Sequence, residues 1–185
     1  MKIGILSQDI RLYSTKRLYD VSVERGHETQ VVSYLRCYIN IAKSRQRIFA
    51  IGQELHFDAI IPRIASSWTF YGAAVVRQFE LKGTLTANSS SGISTARDKL
   101  RALQVMGHSG GEMPVTGYVH STRDIMSVLE TVGEPPFVIK ILEGTQGRGV
   151  VLTETYEEER RIIIDECIRK GFCIRNGIKH TYRPQ

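Results

Sequence analysis

Val138-Ile139-Lys140-Ile141-Leu142-Glu143-Gly144-Thr145-Gln146-Gly147-Arg148-Gly149-Val150-Val151-Leu152 joins two apolar, β-branched runs through a glycine-rich loop, with one lysine set inside the first run. The runs read as the strands of a β-hairpin and the loop as a phosphate cradle. Glycine tolerates positive φ and close approach of backbone to ligand, so successive N–H groups can point at phosphate oxygens while a lysine adds a point charge. Two commoner glycine motifs are excluded by the neighbours. A P-loop requires Gly-Lys followed by Ser or Thr and a helix, and here Val150 follows Gly149. The dinucleotide fingerprint requires a further glycine at the place Leu152 occupies, opening a helix rather than a strand. A plain hairpin whose glycines serve only the turn is the competing reading.

Lys140 strengthens the first reading, because an unpaired ammonium inside an apolar run is costly to bury and a bound anion is its natural partner. A lysine that guards an edge strand against aggregation is the alternative. Downstream, Thr155 and Glu158 have the spacing of a capping box, and Arg169 with Lys170 suits a helix C-terminus, so a helix is expected over 156–170 with Gly171 closing it.

Upstream, strand and helix signals alternate. A strand is expected at 2–6, a helix capped by Ser14 and ended by Gly26, strands at 29–34 and 58–62, and an amphipathic helix over 70–81 stopped by Gly83. This order implies a small parallel sheet covered by helices. Residues 48–55 read as an inserted hairpin whose flanks, with Lys43, Arg45 and Arg47, form a solvated loop. The polar stretch 88–92 is the expected domain boundary. Beyond it come a helix over 96–106, a strand opened by Pro114 and a helix capped by Ser121. Arg63 follows an apolar strand and Pro62, which puts its guanidinium at a strand's carboxyl end, where open α/β sheets bind ligands. It is a candidate carboxylate or phosphate contact, with a surface salt bridge as the competing reading. Trp68 and Tyr71 could line the same cleft, but aromatics at helical spacing are more often packing.

The 185 residues, 42% hydrophobic and 24% charged, suit one domain or two small ones. No apolar run is long enough for a bilayer span and residues 1–7 do not form a secretory signal, so no membrane association and a cytoplasmic setting are expected. Cys37, Cys167 and Cys173 lack metal-ligand spacing and read as free thiols, and the five histidines are scattered, so no zinc site is expected. The net charge of +6 suits anionic ligands, but aromatic and basic residues do not interleave as a nucleic-acid platform would require, and no direct nucleic-acid binding is expected.

From Met1 to about Lys170 the chain resembles the ATP-grasp carboxylate–amine ligases, most closely the RimK type that adds glutamate to the C-terminus of a small-subunit ribosomal protein. The resemblance rests on Lys2-Ile3-Gly4-Ile5-Leu6-Ser7, Leu12-Tyr13-Ser14, Phe57-Asp58-Ala59-Ile60-Ile61-Pro62-Arg63-Ile64, Thr69-Phe70-Tyr71-Gly72, Arg77-Gln78-Phe79-Glu80, Ala96-Arg97-Asp98-Lys99-Leu100, Pro114-Val115-Thr116-Gly117 and Glu143-Gly144-Thr145-Gln146-Gly147. Each is weak alone. Their order and spacing are specific.

The resemblance implies an α/β fold. A small parallel-sheet, Rossmann-like pre-ATP-grasp domain would occupy residues 1–90, and the first α+β half of an ATP-grasp domain residues 91–171. It implies ATP as cofactor, an acyl-phosphate intermediate, and glutamate and a ribosomal protein acceptor as partners. Lys99 and Lys140 would be the two cations on the triphosphate, and Gly144, Thr145, Gln146, Gly147 and Gly149 would close over it. From periodicity alone, Lys99 sits with Arg97 and Arg101 on a solvated helical face. Magnesium or manganese belongs to the full-length family, and its ligands are not found in this sequence. Residues 172–185 carry no recognised likeness and are expected to form a divergent, disordered tail, as an altered frame or early stop would produce. Apolar faces left without their usual partners then favour self-association, and a non-catalytic docking or phosphate-binding fragment is the alternative to an active ligase.

Overall fold

The computed structural model describes residues 1–43, 45–141, 150–155 and 172–176. The chain divides into two compact units, Met1–Arg97 and Asp98–Gln185.

The first unit begins with β1 (Lys2–Leu6), α1 (Tyr13–Glu24) and β2 (Glu28–Val32). It continues through β3 (Cys37–Ala42), β4 (Arg45–Ala50), β5 (Gln53–Glu54) and β6 (Ala59–Pro62) to α2 (Thr69–Leu81), β7 (Leu85–Thr86) and α3 (Ser90–Arg97). The expected parallel sheet is present, in the order β2-β1-β6-β7, with Ile5 opposite Val31 and Ile61. Leu6, Ile60, Val75, Val76 and Phe79 are buried in one core between this sheet and α2. Gly26, at φ 78°, and Gly83, at φ 80°, end α1 and α2 in the left-handed conformation that glycine adopts without a Cβ penalty.

Three local expectations are corrected here. Ser14 does not cap α1. Leu12 occupies the N-cap position, and the entry turn is instead held by Asp9, whose carboxylate accepts the Arg11 N–H at 2.8 Å. The segment at 37–47 is not a solvated loop. β3 and β4 pair antiparallel from Cys37↔Ala50 to Ala42↔Arg45, because Ile39 and Ile48 share an inward face while Tyr38 stacks on Phe49 outside it at 5.1 Å. Arg47 lies over Phe49 and pairs with Glu54 at 2.7 Å, which holds the Glu54 carboxyl below its ordinary range. The expected hairpin at 48–55 does form as β4 and β5, through Ile51 and Gly52, both at positive φ.

The third correction concerns the boundary. The serines of 88–92 form no linker. The Glu80 carboxylate accepts the Ser90 N–H at 2.8 Å and Ser89 Oγ accepts the Gly92 N–H at 3.0 Å, which starts α3 against α2. The division between units falls after Arg97.

The second unit holds α4 (Lys99–His108), β8 (Thr116–Val119), α5 (Ile125–Val132), β9 (Phe137–Ile141), β10 (Val150–Thr153) and β11 (Phe172–Asn176). The helix expected over 96–106 is broken at Asp98, which caps α4 by accepting the Arg101 N–H at 3.0 Å. Ser121 does act as a cap, accepting the Arg123 N–H ahead of α5. The sheet is antiparallel, ordered β10-β9-β11-β8. Ile125, Leu129 and Val132 of α5 cover it over Val119, Phe137, Ile139 and Ile174.

β11 corrects the expected disordered tail for residues 172–176. Ile174 is fully buried, and the strand bonds to β9 on one side and β8 on the other. A single apolar residue with two neighbouring strands outweighs the basic composition that pointed to disorder. The helix expected over 156–170 and the remaining tail, 177–185, lie outside the described residues.

Candidate functional site

In the first unit the chain leaves β1 toward β2 on one side and returns to β6 on the other, so the sheet has a topological switch point between β1 and β6. A cavity of about 790 Å³ opens at that carboxyl edge. Ser7 and Gln8 after β1, Arg63 after β6, and Asn88 and Ser89 after β7 all line it. Ser7 Oγ lies 2.8 Å from Thr15 Oγ1, both buried, which pins the end of β1 to α1.

Arg63 is therefore where the sequence puts it. Its backbone N–H donates to Leu6 O and its Nη2 donates to Ser14 Oγ, each at 2.8 Å, while its side chain stays exposed. Among the described residues no carboxylate forms an ion pair with it, so the surface salt bridge is not what holds it. Tyr71 donates its hydroxyl to Cys37 O and packs on the core, and Trp68 is half exposed. Neither lines the cavity.

Arg97 is the residue that sequence reasoning missed. It reads as part of a solvated face, yet it lines the cavity and its Nη2 donates to Ile64 O at 2.8 Å. Among the described residues no carboxylate lines the cavity, so two guanidinium groups meet a wall that is otherwise neutral there. The carboxyl-edge rule finds residues that follow strands, including Asn88 and Ser89. It does not find a residue brought back by the far end of a helix.

In the second unit, Lys140 sits in β9, opposite Val150 of β10 and Cys173 of β11. β9 is an interior strand, so protection of a sheet edge does not account for the lysine. Lys140 is half-buried, one residue from the end of β9 and opposite the first residue of β10. Lys99 is also half-buried, as the first residue of α4, where the positive end of the helix already favours an anion. A cationic donor set of this kind fits a polyphosphate. Gly144, Thr145, Gln146, Gly147 and Gly149 lie outside the described residues. Among the described residues no group of three His, Cys, Asp or Glu side chains could hold a metal ion. No helix among them is long and apolar enough to cross a membrane.

A model of the RimK pre-ATP-grasp domain matches residues 1–93, and a model of the RimK-like ATP-grasp domain matches residues 96–180. The second match runs past Gly171, which corrects the expectation that likeness stops there. A probable alpha-L-glutamate ligase of Picosynechococcus sp. is 54% identical over 164 residues, covering 88% of this chain and 54% of that protein. The chain thus spans about half the length of this relative. Among solved structures, a RimK domain ATP-grasp protein from Sphaerobacter thermophilus superposes with a TM-score of 0.68 at 18% identity, covering 96% of this chain and 64% of that one. The ATP-grasp ligase PsnB, complexed with precursor peptide PsnA2 and AMPPNP, superposes with a TM-score of 0.66 at 16% identity, covering 96% and 65%.

Proposed function

We propose, on the premise that this chain belongs to the RimK family of ATP-grasp proteins, that it serves ATP-dependent ligation of glutamate to the C-terminal carboxylate of a small-subunit ribosomal protein. ATP, when bound, supplies the phosphoryl group that turns the acceptor carboxylate into an acyl phosphate, and the glutamate amine displaces phosphate to leave an amide. Positioning and charge neutralisation carry most of such a reaction. In this reading Lys140 and Lys99 hold the polyphosphate, with Gly144, Thr145, Gln146, Gly147 and Gly149 closing over it. Arg63 receives a substrate carboxylate at the carboxyl edge of the first unit's sheet. The reaction belongs to the cytoplasm, where ATP, glutamate and ribosomal proteins meet.

The observation that carries this reading is the placement of Lys140. It lies half-buried on an interior strand, where edge protection does not account for a lysine, shortly ahead in sequence of the glycine-rich segment. The relative's name, a probable alpha-L-glutamate ligase, supports glutamate as the amine.

A second reading has its own support. In it the chain is a non-catalytic docking or phosphate-binding fragment, and among the described residues no group of three His, Cys, Asp or Glu side chains could hold a metal ion. Incubation with ATP, magnesium, glutamate and a peptide carrying the ribosomal acceptor's C-terminus, followed by mass spectrometry, separates the two. A peptide lengthened by glutamate only when ATP is present supports the ligase. A peptide that is retained but unchanged supports the docking reading, and a peptide neither bound nor changed contradicts both.

A further inference from the structure

We propose that Arg97, together with Arg63, makes the cavity of the first unit a two-guanidinium site selective for a dicarboxylate, so that Arg97 is a specificity-determining residue. This rests on the reading that the cavity receives a carboxylate substrate, and it adds which kind.

The two arginines are held from different places. Arg63 is tied to α1 through Ser14 Oγ, and Arg97, the last residue of α3, is tied to Ile64 O. Each spends one side-chain N–H on that anchor, and a guanidinium carries five. The remaining donors keep the planar fork that accepts a carboxylate in bidentate fashion. Because no acidic side chain among the described residues lines the cavity, none of them neutralises either guanidinium from within it.

Shape decides between a dicarboxylate and a single small anion. The space of about 790 Å³ far exceeds one phosphate, and Leu12, Ile93 and Ala96 give part of it an aliphatic wall. A short methylene chain can cover that wall while its two ends reach separate arginines. Inorganic phosphate would engage the charges and leave the apolar wall wet. Arg97 also fixes Ile64, and Ile64 packs where α2 carries Gly72, so the guanidinium that recognises the ligand is itself rigidly referenced to the sheet.

The test is titration of the 185-residue chain with glutarate, butyrate and inorganic phosphate, followed by calorimetry, with ATP titrated separately. Glutarate is expected to bind about tenfold or more tighter than butyrate or phosphate, as a second charge-assisted pair would give. Arg97→Gln is expected to erase that preference while butyrate affinity changes by no more than about twofold, and retained butyrate binding in the same unit shows the variant folded. Arg97→Lys keeps the charge but not the fork, and is expected to recover only part of the preference. Equal affinity for glutarate and butyrate, or phosphate binding as tight as glutarate, overturns the proposal. Absence of glutarate selectivity in the unaltered chain, with its ATP binding intact, removes the proposal alone. Loss of ATP binding in the unaltered chain removes the ligase reading instead.

Discussion

Arg97 illustrates how a residue's neighbours in sequence can mislead about its neighbours in space. Beside Lys99 and Arg101 it reads as one more charge on a wet helix face, whereas the break at Asp98 ends α3 and turns its guanidinium to Ile64 O. Arg63 was legible because strand ends announce themselves through an apolar run followed by proline. Cys37 offers a separate check on the core of the first unit. Burial pushes its thiol from the ordinary 9.0 up to about 11, since the thiolate is the disfavoured form. The folded chain therefore holds the proton more tightly than the unfolded one. The stability this gives is complete below pH 9.0 and is lost as pH rises toward 11. Alkylation by iodoacetamide at neutral pH, read by peptide mapping, is expected to spare Cys37 in the folded chain and to label it fully in denaturant.

Among the elements, α2 has most to do with holding the site. An added Cβ at Gly72 would run into the Ile64 side chain, so only glycine lets the helix lie this close to the segment that carries Arg63. Gly72→Ala is expected to cost about 1–3 kcal/mol in urea unfolding, as overpacking does, and to weaken ligand binding at the cavity. An unchanged midpoint would show that Ile64 yields without strain. The parallel strands, α2 and the β9–β10 hairpin were readable from periodicity and turn residues. The β3–β4 pairing was not, because Lys43, Arg45 and Arg47 make the segment look solvated while its inward partners are spaced alternately along both strands. β11 was unreadable for a related reason: one buried isoleucine between two strands leaves little trace in composition.

At the scale of the whole molecule, two cores are expected to give two unfolding transitions, one for Met1–Arg97 and one for Asp98–Gln185. Phe79→Ala, at a fully buried residue, is expected to lower the first by about 3–5 kcal/mol, and Ile174→Ala the second by about 2–5 kcal/mol. Calorimetry in which either variant moved both transitions equally would mean that the units fold as one. Acid is expected to loosen the first unit at the Arg47–Glu54 pair. Arg47 holds the Glu54 carboxyl below its ordinary range, so the stability it lends is present above that range and fades as pH falls through the lowered value.

Lys140 joins the two levels, being one side chain whose place in the sheet gives the molecule its proposed chemistry. Calorimetric titration of the chain with ATP, repeated with Lys140→Ala, measures that link most directly. Saturable ATP binding that the substitution weakens by about 10-fold to 100-fold, the worth of a charge-assisted hydrogen bond, is the predicted result. ATP binding of equal strength in both proteins, or none in either, would contradict it.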